Sequence, residues 1–178
     1  MKKQTGLFAC LVGLAILSGL TQKVLATPAT GFTATTVALG RFGATDALNV
    51  ALPATASGST DAKAWLSLQR TQGDSDLYVQ SNTWVVGGST GWHTHPGHSL
   101  IIVTAGEVTV YEGDEPDCKP HVYKQGMGFL DGGGEHRHII RNEGTVEART
   151  IAVQLIPAGA TRRIDVDPPA QCRFSPPY

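Results

Sequence analysis

Short apolar runs, broken by glycine or by polar turns, dominate the chain beyond position 26. Ala64 to Gln69 is strand-like, and Thr71-Gln72-Gly73-Asp74 reads as the turn after it. Leu77 to Val86 is rich in Tyr, Val, Trp and Thr and predicts a strand that Gly87-Gly88-Ser89 ends. Ser99 to Thr104 and Val108 to Tyr111 flank Ala105-Gly106-Glu107 as a hairpin. Val122-Tyr123 leads into Gln125 to Leu130, Gly132-Gly133-Gly134 forms a tight connection, and His138 to Asn142 resumes the sheet. Thr150 to Ile156 is a last long apolar strand, ended by Pro157 and Gly159. Residues 27–62 are rich in Ala, Thr, Gly and Ser; they predict an irregular lead-in with a short edge strand near Thr35–Leu39. No window beyond residue 26 has a helical period. The pattern predicts an all-β, antiparallel sandwich or small barrel over residues 63–160, followed by a proline-marked tail over 161–178.

The first 26 residues read differently. Lys2 and Lys3 precede an apolar run from Leu7 to Leu20, and Val24-Leu25-Ala26 offers a cleavage site before Thr27. That is a secretory signal peptide, predicting a secreted or periplasmic protein cleaved after Ala26. An uncleaved anchor is the alternative, though the run is short for a membrane span. Without these residues, eleven basic side chains face fifteen acidic ones, a net charge of −4. Nothing in that balance points to nucleic acid or an anionic membrane. Two cysteines then remain, Cys118 and Cys172. An even count in an oxidising compartment predicts one disulfide tying the tail to the middle of the domain. A cysteine metal site is the alternative.

The candidate chemistry lies in the histidines. Four of the six sit in two i,i+2 pairs, His93/His95 and His136/His138. On strands, each pair places both imidazoles on one face, so two strands can build one metal site. Histidines held only by water and backbone are the alternative. The sequence has no phosphate-binding glycine loop and no Cys-x-x-Cys; Gly87-Gly88-Ser89-Thr90-Gly91 fits Gly-x-Ser-x-Gly in letters, but no helical period follows it, so nucleophilic catalysis has no support.

Gly91-Trp92-His93-Thr94-His95-Pro96-Gly97, continuing to Gly106, resembles the first motif of the cupin family, and Gly126 to Asn142 resembles the second, with Asn142 four residues after His138. Trp65 to Phe174 is similar to small secreted single-domain bacterial cupins. The resemblance implies a jelly-roll β-barrel with His93, His95 and His138 as metal ligands near one mouth. His136 is the alternative to His138. Two departures stand out. The family's glutamate position falls on Ser99, a poor ligand, and the proline of the second motif is absent, with Asp131 and Gly132 near its place. His98 is a candidate for the missing fourth position. Trp92 is expected to shape the pocket mouth beside Ser99.

A three-histidine site suits Fe, Mn, Zn, Ni or Cu. Without a carboxylate ligand it would favour a small anionic ligand. The resemblance thus implies an oxygenase- or isomerase-like metalloenzyme, with Glu135 and Tyr111 as candidate acid–base residues. A non-catalytic small-molecule or metal-binding domain is the alternative. Arg141 and Arg149 are candidates for orienting an anion, although charges on such strands more often face solvent. A homodimer is a further expectation from the resemblance.

Overall fold

The computed structural model describes residues 27–51 and 65–172. Residues 1–26, read above as a signal segment, part of the lead-in and the last six residues lie outside the described residues. Twelve strands form: β1 (Thr30–Phe42), β2 (Asp46–Ala51), β3 (Trp65–Arg70), β4 (Ser75–Ser89), β5 (His93–Thr94), β6 (Ser99–Ala105), β7 (Glu107–Glu112), β8 (His121–Lys124), β9 (Gly128–Asp131), β10 (His138–Arg141), β11 (Ala148–Pro157) and β12 (Ile164–Asp165). Two layers result. One runs β1-β4-β11-β6-β9 and the other β12-β5-β10-β7-β8, and they join where Arg141 of β10 pairs with Ser89 of β4. This is a nearly closed antiparallel barrel of the jelly-roll type. β2 and β3 form a separate hairpin. Among the described residues no helix is long and apolar enough to cross a membrane.

The strands follow the alternation of the sequence. In β6 and β11 every second residue is buried, so Ile101, Val103, Ala148, Ala152 and Ile156 point inward while Leu100 and Ile102 point out. Trp84, Val108, Val110 and Ile140 complete the main core. Some inward positions are polar, notably Gln80, Ser99 and Gln154. These mark the part of the barrel that encloses a cavity instead of solid core.

Two strands are longer than expected. The short strand near Thr35–Leu39 extends over thirteen residues and pairs with β4 along most of its length, because the Ala- and Thr-rich lead-in alternates well enough to complete a sheet edge. Gly87 and Gly88 do not end β4. Gly88 lets the chains close up, since a Cβ there would lie 2.4 Å from the Gly31 carbonyl oxygen.

Asn142 ties the layers together. It is fully buried, and its Nδ2 donates towards the carbonyls of Trp84, Val85 and Val146 while its Oδ1 accepts from the Gly144 N–H. A second cluster of Trp92, Tyr111, Ile139, Cys118 and Cys172 packs around the Cys118–Cys172 disulfide. That bond anchors the tail where β12 pairs with β5. Closing a loop with a sequence separation of 54 residues restricts the unfolded chain by about 4 kcal/mol in the chain-entropy account. The Cys118→Ser, Cys172→Ser variant is therefore expected to lose about that much unfolding free energy in urea titrations, and a loss under about 1 kcal/mol would contradict the anchoring role.

Candidate metal centre

His93 opens β5 directly opposite His138 of β10, and His95 follows two residues later. The approach to β5 depends on Gly91. Its φ is +68°, and a Cβ there would meet the Thr27 carbonyl oxygen at 2.0 Å. The Gly91 N–H donates to Ser89 Oγ and the Thr90 hydroxyl accepts from the Ile140 N–H, pinning the turn to β10. The three rings lie with centroids 4.2, 4.8 and 5.5 Å apart, and one ligand nitrogen from each falls within 4.8 Å of the others.

The hydrogen bonds fix two tautomers. A carbonyl oxygen only accepts, so His93 Nδ1–H donates to Gly91 O (2.9 Å) and His95 Nδ1–H donates to Arg162 O (2.6 Å). Each ring therefore keeps its Nε2 lone pair free. His138 is 98% buried, and neither of its ring nitrogens makes a well-formed hydrogen bond. Such orphans in a polar cluster require an explanation, and a cation is the simplest for lone pairs that converge.

Asp131, on β9, joins the cluster. Oδ1 accepts from the Gly133 N–H (3.0 Å) and lies 3.5 Å from His138 Nδ1, while Oδ2 lies 3.4 Å from His95 Nε2 and has no hydrogen-bond partner. Burial pushes the Asp131 carboxyl up, against the pull of His95, the Gly133 N–H, His136 and Ser99. Burial likewise holds the imidazoles neutral. His138 falls to about 3 and His95 to about 4, and His93 falls well below its ordinary value. Neutral imidazole is the form that ligates a metal.

The cavity beside the rings encloses about 50 Å³, room for roughly three or four water molecules. Gln80, Asn82, Ser99 and Gln154 give it polar walls, and Trp84 and Phe32 apolar ones. Arg162 and Arg163 close it from the tail. Arg163 is held by Asp165 and donates to Thr90 O. Arg162 is half-buried and has no carboxylate partner among the described residues; burial and then the Arg163 charge pull its pKa down.

The structure brings His93, His95, His138 and Ser99 together and separates the other candidates. His136 is engaged by Glu112 (2.6 Å) and Asp114 (3.3 Å), outside the group of three. Burial opposes its protonation, but those carboxylates raise its pKa above the ordinary value. His98 lines a separate surface groove with Gln69 and Pro157, because the Pro96-Gly97 turn carries it outward. Glu135 is exposed on the glycine loop. Tyr111 packs by the disulfide and donates to Glu143. Trp92 also packs there and does not shape the mouth, since alternation turns it away from the His93 face. Arg141 pairs with Glu143 and Arg149 with Glu147. Sequence reasoning passed over Asp131, Arg162 and Arg163. Asp131 was visible as the departure from the second motif, whereas the tail arginines gave no signal.

Residues 82–154 match the family model described as a cupin domain. A cupin-like protein from Thermotoga maritima is similar in structure, at 21% identity and TM-score 0.45, over 52% of this chain and 65% of that one. Peruvianin-I, a cysteine peptidase from Thevetia peruviana latex, is 26% identical over 51% of this chain and 56% of its own, with TM-score 0.42. An oxalate oxidase is 22% identical over 46% of each chain, with TM-score 0.40. The chain thus spans about half the length of the last two. No curated protein sequence matches it. The topology is that of a jelly-roll barrel, similar over residues 82–154 to the cupin domain, and it carries a three-histidine cluster.

The imidazoles make metal-free stability depend on pH. Their folded pKa values lie below the unfolded value of about 6.5, so their contribution is complete above it and is lost as pH falls towards 4 and 3. Asp131, raised in the folded state, acts in the opposite sense. The urea midpoint of the metal-free protein is expected to fall between pH 7 and pH 5, and to fall less in a His138→Gln variant. An equal fall in both would contradict the assignment.

Proposed function

We propose that this chain is an exported metal-binding cupin that holds a small anionic molecule at a divalent transition metal bound by His93, His95 and His138. The observation that carries this reading is the convergence of three buried, neutral imidazoles, two of them fixed by carbonyls with Nε2 free. Second-sphere carbonyls of this kind are how proteins aim ligating histidines. Fe, Mn, Zn, Ni and Cu all suit the donor set. Bound there, such an ion would supply Lewis acidity or, if redox-active, dioxygen activation.

The surrounding residues give the ligand's character. Arg162 offers an uncompensated guanidinium at the cavity, suited to a carboxylate. The buried Trp84 Nε1–H and Gln154 Oε1 lack partners and offer one donor and one acceptor. The small cavity favours a molecule of a few heavy atoms, or one end of a larger one. An oxygenase- or isomerase-like activity is consistent with this. A non-catalytic binding role is the second reading, favoured by one observation: Glu135 and Tyr111, the acid–base candidates, both lie away from the cavity. A second copy of the chain is the proposed partner, suggested by Leu48, Val50, Leu66 and Leu68, which stand exposed on the β2–β3 hairpin.

Elemental analysis of the purified protein tests the metal. Near-stoichiometric Fe, Mn, Zn, Ni or Cu is expected, lost in the His93→Ala, His95→Ala variant. No metal in either, even after incubation with each ion, would contradict the reading. In the loaded protein, Arg162→Ala is expected to weaken oxalate binding about tenfold by calorimetry, the equivalent of one charge-assisted hydrogen bond.

A further inference from the structure

We propose that Asp131 is a fourth protein ligand of this centre, supplying from β9 the carboxylate that Ser99 does not supply from β6. The inference rests on the three-histidine reading above and extends it to the site's charge and coordination.

Ser99 and Asp131 are direct cross-strand partners. Both side chains are buried, 3% exposed each, and face the same cavity. A carboxylate at either position therefore enters the barrel at the same level, from adjacent strands. At position 99 the sequence has only a hydroxyl, which accepts from Gln154 Nε2 at 3.0 Å. At position 131 it has the carboxylate.

The Asp131 geometry suits a metal ligand. Oδ1 is oriented by the Gly133 N–H, and Gly133 itself is required there, since a Cβ would meet the Gly97 carbonyl oxygen at 2.3 Å. Oδ2 is left without a hydrogen-bond partner. It faces His95 Nε2 at 3.4 Å, and His95 carries its proton on the other nitrogen, where Arg162 O accepts it. Two lone pairs thus confront each other in a buried space, an arrangement that an intervening or flanking cation makes favourable. The spacing fits as well. Metal–nitrogen and metal–oxygen bonds of about 2.1 Å at tetrahedral angles place neighbouring donors about 3.4 Å apart. Asp131 Oδ2 meets His95 Nε2 at that spacing, 3.4 Å, while the other oxygen, Oδ1, lies 3.5 Å from His138 Nδ1. With Asp131 bound, a divalent ion keeps one net positive charge, and the tail arginines add to it.

The test uses cobalt(II) in the full protein, reading affinity by chelator competition and coordination by visible and X-ray absorption. Asp131→Asn retains the shape and the Oδ1 acceptor. It is expected to weaken cobalt about 10- to 100-fold and to change the d–d spectrum. Ser99→Asp combined with Asp131→Ser returns a carboxylate from the facing strand and is expected to recover affinity; it carries the test should Asp131→Asn fail to fold. Unchanged affinity and spectrum in Asp131→Asn, with cobalt still lost from His93→Ala, His95→Ala, would overturn this proposal and leave the histidine reading standing. Weaker binding with an unchanged spectrum would also overturn it, making Asp131 a positioning residue for His138. A wild-type protein that binds no cobalt would remove both.

Discussion

Three imidazoles share one desolvated end of this barrel, and they can do so only if all remain neutral. A proton on His93 or His138 would place a charge in a desolvated site that already holds the Arg163 guanidinium. That constraint accounts for the surroundings. His93 and His95 each lose their one N–H to a backbone carbonyl, which satisfies the donor and leaves the acceptor turned inward. His138, opposite His93 across the β5–β10 pair, is left with both nitrogens unanswered. The fold holds a set of lone pairs in place, and the site's chemistry follows from what answers them.

The precision of that set depends on distant parts of the chain. Cys118 and Cys172 fasten the tail to a cluster that includes Trp92, the residue just before His93. From that anchor β12 pairs with β5, and Val166 N–H donates to Trp92 O. The same segment delivers the Arg162 carbonyl to His95 and the Arg162 and Arg163 guanidiniums to the cavity. The tail that the disulfide ties to the domain thus forms one wall of its interior site. Disulfide, β12 and ligand tautomer form a single mechanical chain.

Much of this was legible in the sequence, for identifiable reasons. Alternation and glycine punctuation gave β6, β7 and β11, because inward and outward residues differ sharply there. The first His-x-His pair placed His93 and His95 in one cluster, while the choice of His138 over His136 came from the resemblance, since β10 begins only at His138. β1 was less legible, since its long Ala- and Thr-rich run carries little apolar contrast and depends on β4 for its pairing. Trp92 was misplaced because proximity to a histidine in sequence is opposition in a strand. His136 and Glu135 fell out of the site because local partners and solvent claim them. The tail arginines reach the site through tertiary pairing alone, which no local pattern encodes.

In the proposed metal centre His93 and His95 present free Nε2 lone pairs to the ion. Nitrogen-15 spectra of the imidazoles, with and without zinc, test that arrangement most directly. Neutral rings protonated at Nδ1 are expected in the metal-free protein, with large shifts at Nε2 of both residues on adding one equivalent of zinc. Rings protonated at Nε2, or Nε2 signals that zinc leaves unmoved, would contradict it.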